Sequence, residues 1–98
     1  MNPEQQIECR YFVSYSGIKL PLKLVHEIAA TSLNNRNTYY CGYFDAQDKM
    51  LLCQKVVYGE VESEHQYNYY GNGMLKQAKI TEDDEVREIY FNESGEML

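Results

Sequence analysis

Five side chains in this sequence have the chemistry for nucleophilic catalysis or metal binding: Cys9, Cys41, Cys53, His26 and His65. A thiol nucleophile needs a base beside it. A zinc site needs about four ligands, usually supplied as closely spaced pairs. No two of the five are near neighbours, and no Cys-x-x-Cys pair occurs. Cys9 is the thiol with a basic neighbour, Arg10, whereas Cys41 and Cys53 sit among strand-forming residues and read as small apolar fillers. His65 lies between Glu64 and Gln66 and reads as a half-buried histidine satisfied by backbone or by a tyrosine hydroxyl. The expectation is no catalytic residue, no metal and no cofactor.

Carboxylates and tyrosines are the richer material. Glu60, Glu62 and Glu64 alternate with Val61, Ser63 and His65. On a strand they would share one outer face, successive members about 7 Å apart. Such a stripe is usually a solvated face, and its functional alternative is recognition of a basic partner surface. Thr81–Glu85 is also acidic but lacks the alternating oxygen ligands and glycine of a calcium loop. No glycine-rich loop is followed by Lys-Ser/Thr, so a phosphate cradle is absent. Tyrosine occurs 10 times, against 3 Phe and no Trp. Tyr39/Tyr40 and Tyr69/Tyr70 are adjacent pairs, and adjacent strand residues face opposite sides, so at least one of each pair must face outward. Outward tyrosines suit either a cross-strand ladder or a binding surface. The candidate partner-binding set is therefore Tyr39, Tyr40, Tyr69, Tyr70, Glu60, Glu62 and Glu64.

Composition narrows the setting. The 98 residues fit a single domain over 1–98, with the polar segment 1–7 expected to be flexible. The formal net charge of −6 works against binding nucleic acid or anionic lipid. No apolar run is long enough to span a membrane, and Met1–Gln6 has neither the basic start nor the apolar stretch of a signal peptide. An odd cysteine count without such a leader fits reduced thiols in a cytoplasmic protein rather than a disulfide framework.

The elements that must carry these residues are hairpins. Strands are expected at 11–15, 18–24, 39–45, 49–57, 61–69, 74–80 and 85–91. Turns are expected at 16–17, 46–48, 58–59, 71–73, 81–84 and 93–95. Ile18, Leu20, Leu22 and Leu24 alternate strictly with Lys19, Pro21 and Lys23, the pattern of a strand with one buried face. Pro21 cannot donate to a ladder, which makes that strand an edge or bulges it there. One short helix is expected near 26–33, from Glu27 to Leu33. The fold class is mostly β, an antiparallel meander of roughly seven or eight strands in a curved sheet.

The segment Tyr43-Phe44-Asp45-Ala46-Gln47-Asp48-Lys49-Met50-Leu51 recurs as Tyr90-Phe91-Asn92-Glu93-Ser94-Gly95-Glu96-Met97-Leu98. A third version, one residue shorter, is Tyr69-Tyr70-Gly71-Asn72-Gly73-Met74-Leu75. Each reads as an aromatic strand end, a polar turn and a new strand, and one such hairpin cannot bury its apolar face alone. This segment resembles the tyrosine–aspartate (YD/Rhs-type) hairpin repeats of large bacterial shell proteins. A wider resemblance rests on Glu8-Cys9-Arg10-Tyr11-Phe12-Val13-Ser14-Tyr15-Ser16-Gly17-Ile18-Lys19-Leu20-Pro21, Asn35-Arg36-Asn37-Thr38-Tyr39 and Val57-Tyr58-Gly59-Glu60-Val61-Glu62. These stretches are similar to a family of small uncharacterised bacterial proteins of about this length. That resemblance implies a bacterial domain and assigns no activity, cofactor or site residue.

Three functions compete on the sequence. The first is a module that binds another protein, a basic surface being the natural complement, with homo-oligomerisation also open. The second is a domain that binds a small ligand in an apolar pocket inside the curved sheet. The third is a small enzyme using Cys and His.

Overall fold

A computed structural model describes residues 6–98. Seven strands form one sheet: β1 (Glu8–Ser16), β2 (Lys23–Ile28), β3 (Thr38–Phe44), β4 (Met50–Val57), β5 (Glu60–Tyr69), β6 (Leu75–Glu82) and β7 (Glu85–Tyr90). Their order is β2-β1-β3-β4-β5-β6-β7, every neighbouring pair is antiparallel, and the sheet does not close. β2 and β7 are its edges. The mostly β, meander-like architecture expected from the hairpin signals is what the chain adopts. The expected looseness of 1–7 falls largely outside the described residues; Gln6 and Ile7 are exposed and irregular.

One short 3-10 helix, Ala30–Asn35, joins β2 to β3. It stands in place of the helix expected near 26–33 and begins later. The reason is that β2 runs to Ile28 through pairing with Tyr11 and Phe12. The 3-10 segment has no side-chain cap and buries no residue, so nothing extends it into an α-helix.

The expected strand at 18–24 is corrected. Ser16 pairs directly with Lys23, which leaves 17–22 outside the ladder. These residues cross one face of the sheet as a strap. Leu20, Leu22 and Leu24 pack against the core cluster of Met50, Cys53, Tyr67, Leu75 and Ala78, while Ile18 is 96% exposed. Period-two alternation is a signature of extended chain with one buried side. Here the buried side faces the sheet from above instead of lying within it. Pro21 offers no N–H to a ladder, and the Leu22 N–H is taken by the Tyr67 hydroxyl at 3.1 Å.

The three turns that look alike in sequence are alike in structure. Asp45 N–H donates to the Lys49 carbonyl, Tyr70 N–H to Met74 and Asn92 N–H to Glu96, at 2.9, 2.8 and 2.8 Å. In each turn the fourth residue, Asp48, Gly73 or Gly95, has positive φ. The Asp45 carboxylate accepts from the Gln47 and Lys49 amides, and the Asn92 side-chain oxygen accepts from Ser94 and Glu96 in the same way. This geometry aligns Asp45, Tyr70 and Asn92, which moves the middle unit by one residue relative to the Met-Leu alignment. Leu75, not Met74, therefore fills the place of buried Met50.

The strapped face carries Phe12, Met50, Cys53, Tyr67, Leu75, Ala78 and Ile80, all buried. Arg10 closes one end of it, bound to Glu27 and Asp48 at 2.9 and 3.0 Å and lying over the rings of Phe12 and Phe44. On the opposite face Tyr11 and Tyr39 stack edge to face beside buried Cys41. Cys41 and Cys53 are apolar fillers as their setting implied, and burial pushes their thiols up to about 11 and about 12. All three cysteines are free.

Candidate functional site

The strap divides the face it crosses. Along it lies an open cavity of about 920 Å³, bounded by the strap, by side chains of β4, β5, β6 and β7 with Tyr15 and Tyr40, and by Gly95 and Met97 of the last turn. Its apolar wall is Leu20, Leu22, Ile80, Ile89, Phe91 and Met97. Polar groups gather toward the β4-β5-β6-β7 side: Lys55, Ser63, His65, Glu82 and Arg87. A smaller cavity of about 410 Å³ opens on the other side of the strap, beside Arg10 and Lys49.

His65 enters the larger cavity through local pairing. It stands directly opposite Cys53 on β4 and Ile80 on β6, and Ile80 stands opposite Arg87 on β7. Directly opposed residues in antiparallel strands share a face. His65, Ile80 and Arg87 thus form one row across three strands, all lining the cavity. His65 Nδ1 lies 2.8 Å from the Tyr67 hydroxyl. That hydroxyl already accepts the Leu22 N–H, Tyr67 is 3% exposed, and among the described residues Nδ1 is the acceptor within hydrogen-bond distance of it. Donating its proton to Nδ1 satisfies this buried hydroxyl, and the neutral imidazole then carries its own proton on Nε2. Burial pushes the imidazole below its usual range; Glu82 opposes this and Arg87 adds to it.

The candidate residues read from sequence scatter over this frame. Tyr40 reaches the cavity, stacked edge to face on Tyr15 at 5.6 Å. Tyr39 lies on the opposite face against Tyr11. Tyr69 and Tyr70 are half-buried, and their hydroxyls donate to the carbonyls of Met50 and Phe91 at 2.6 and 2.7 Å. The expected single face for Glu60, Glu62 and Glu64 is corrected. Lys55 pairs with Ser63 but Val56 pairs with Val61, so Glu62 is the extra residue of a bulge. The bulge sends Glu62 to Lys55 at 3.1 Å on the cavity side. Glu64 instead accepts hydrogen bonds from Gln54 and Gln66, and Glu60 is exposed at the β4–β5 turn. Of the seven, Tyr40 and Glu62 meet at this cavity and the other five do not.

Sequence reasoning left out the strap and Arg87. The available signal was the four-residue apolar alternation combined with Pro21, which marks extended chain that cannot pair on both edges. Among the described residues, no three His, Cys, Asp or Glu side chains gather as a metal ion would need. No helix among them is long and apolar enough to cross a membrane.

Fold and site together define a small antiparallel β protein: one open seven-stranded sheet with a strapped, amphipathic cleft on one face. The chain belongs to DUF6156, a family of unknown function, whose model matches residues 4–98. No curated protein matches the chain. No solved structure matches it either.

Proposed function

We propose that this protein binds a small amphipathic molecule in the cleft beside the strap. The observation that carries the reading is the cavity of about 920 Å³ with one apolar wall and one group of polar side chains. Ligand sites are of this size and build: mostly apolar surface for affinity, a few placed polar groups for orientation. The partner-binding alternative draws less from the geometry. The tyrosines that would form a docking face spend their hydroxyls on backbone carbonyls or pack in edge-to-face pairs. The three glutamates do not form one stripe: Glu62 pairs with Lys55, Glu64 accepts from Gln54, and Glu60 is exposed at the β4–β5 turn. For an enzyme, a thiol would have to stand beside His65. Cys53 is opposite it in the ladder, but it is 2% exposed and its thiol is raised to about 12, which keeps it protonated.

Titration with 1-octanol, followed through backbone amide shifts, tests the reading. Shifts concentrated at Leu22, His65, Ile80 and Ile89 support it. Shifts confined to the Tyr11–Tyr39 face, or none up to the solubility limit, overturn it.

A further inference from the structure

The geometry points to a monocarboxylate with an apolar tail as the ligand class, its carboxylate held above Ile80 between His65 Nε2–H and the Arg87 guanidinium. This rests on the cleft being a ligand site and specifies what the cleft selects. Three observations lead to it.

First, the tautomer is set from inside the protein. With Nδ1 occupied by the Tyr67 hydroxyl, His65 presents a donor, not an acceptor, at Nε2. That nitrogen has no hydrogen-bond partner among the described residues, and it is not sealed off, because no buried side-chain nitrogen or oxygen is left unpaired. With the Tyr67 hydroxyl as donor to Nδ1, it is an accessible donor on a side chain that lines the cavity.

Second, Arg87 has no carboxylate within ion-pair distance among the described residues, whereas Lys55 of the same wall is engaged by Glu62 at 3.1 Å. His65 and Arg87 flank Ile80 in one cross-strand row. Two strand spacings separate their backbones by about 10 Å. A carboxylate has two oxygens to offer, one to a guanidinium and one to an imidazole N–H across that gap, and charge-assisted hydrogen bonds of this kind are the stronger ones.

Third, the surrounding charges limit the anion. Glu82, Asp83 and the Lys55-paired Glu62 line the same cavity, so each negative charge brought in is opposed and the opposition grows with the charge of the ligand. A single carboxylate is therefore favoured over a phosphate or dicarboxylate. Leu20, Leu22, Ile89, Phe91 and Met97 then offer the tail its apolar surface.

The test is calorimetric titration at pH 7.5 with octanoate, 1-octanol and octylamine, on the natural protein and on Arg87→Gln. Arg87 is exposed on an edge strand, so the variant keeps the fold. The expected order is octanoate tightest and octylamine weakest. Arg87→Gln should weaken octanoate about tenfold and leave octanol within about twofold, the loss of one charge-assisted contact. His65→Phe is a second variant that keeps a ring and removes Nε2–H; it should weaken octanoate and not octanol. Lengthening the acid from hexanoate to decanoate should tighten binding roughly three- to fourfold per methylene until the wall is covered. Octanol binding as tightly as octanoate, with Arg87→Gln silent, overturns the carboxylate assignment and leaves the cleft as an apolar ligand site. No binding by any octyl compound overturns both.

Discussion

The Tyr67 hydroxyl is the point at which strap, sheet and cleft are joined, and removing it alone gives a sharp expectation. Tyr67→Phe keeps the buried ring and deletes one oxygen. Two hydrogen bonds disappear: Leu22 N–H to Tyr67 at 3.1 Å and Tyr67 to His65 Nδ1 at 2.8 Å. Each intramolecular bond contributes about 1 kcal/mol net, and a partly buried donor left unpaired adds to the loss. Relief of the hydroxyl's own burial offsets part of this. The expected destabilisation is about 2 kcal/mol at pH 7.5, measured by urea unfolding. The pH dependence supplies a second readout. In the natural protein the His65 imidazole is held below its unfolded value of 6.5, chiefly by burial. A group whose folded pKa is depressed adds stability that is complete above pH 6.5 and is lost as pH falls toward the folded pKa. The Tyr67 bond supports the neutral form only. The gap between natural protein and Tyr67→Phe should therefore narrow as pH is lowered from about 7.5 to about 5. Amide exchange at Leu22 should accelerate in the variant while exchange in β4 does not. A loss under about 0.5 kcal/mol, or a gap that widens toward pH 5, would refute the strap anchor and the tautomer derived from it.

Other outcomes test separate parts of the structure. Gly42→Ala places a Cβ 2.7 Å from a Phe44 ring carbon and 2.9 Å from Leu24 Cδ1, so it should cost about 1–3 kcal/mol by thermal or urea melts. Asp45→Ala removes the side-chain acceptor of the Gln47 and Lys49 amides and should cost about 1 kcal/mol, with Asn92→Ala costing less because that turn is followed by an isolated bridge rather than a strand. Changing Glu60, Glu62 and Glu64 together to glutamine should alter stability by less than about 1 kcal/mol, since the Lys55–Glu62 pair is solvent-accessible and a glutamine amide at 64 keeps one acceptor oxygen, losing one of the two bonds from Gln54 and Gln66 near the surface. In the native protein at pH 7.5 a thiol reagent should leave Cys41 and Cys53 unmodified and reach Cys9 first; in urea all three should react.

Most of the sheet is legible in the sequence because hairpins are local. β3 to β7 fall within a few residues of their expected bounds, since turn chemistry at Asp45, Tyr58-Gly59, Asn72-Gly73 and Asp83-Asp84 fixes where each strand stops. What fails is information held between distant segments. Leu20 and Leu22 alternate as they would in a strand, and only the sheet face beneath them decides that they lie over it. Glu62 belongs to a regular alternation in sequence, and only the register of β4 against β5 expels it. The cleft is harder still. Its donors come from β5 and β7, its wall from the strap and the last turn, and no short motif joins them. His65 was legible as a half-buried histidine bonded to a tyrosine, yet the proton on Nε2 follows only from the Leu22 amide that occupies the same hydroxyl.

The central claim is that an apolar chain lies in the cleft beside the strap, and intermolecular NOEs from the terminal methyl of 1-octanol test it directly. The account predicts NOEs from that methyl to the side chains of Leu20, Leu22 and Ile89, abolished in a cavity-filling Ile89→Trp variant that retains its fold. NOEs to Tyr11, Val13 or Tyr39 on the opposite face, or NOEs unchanged in Ile89→Trp, would contradict it.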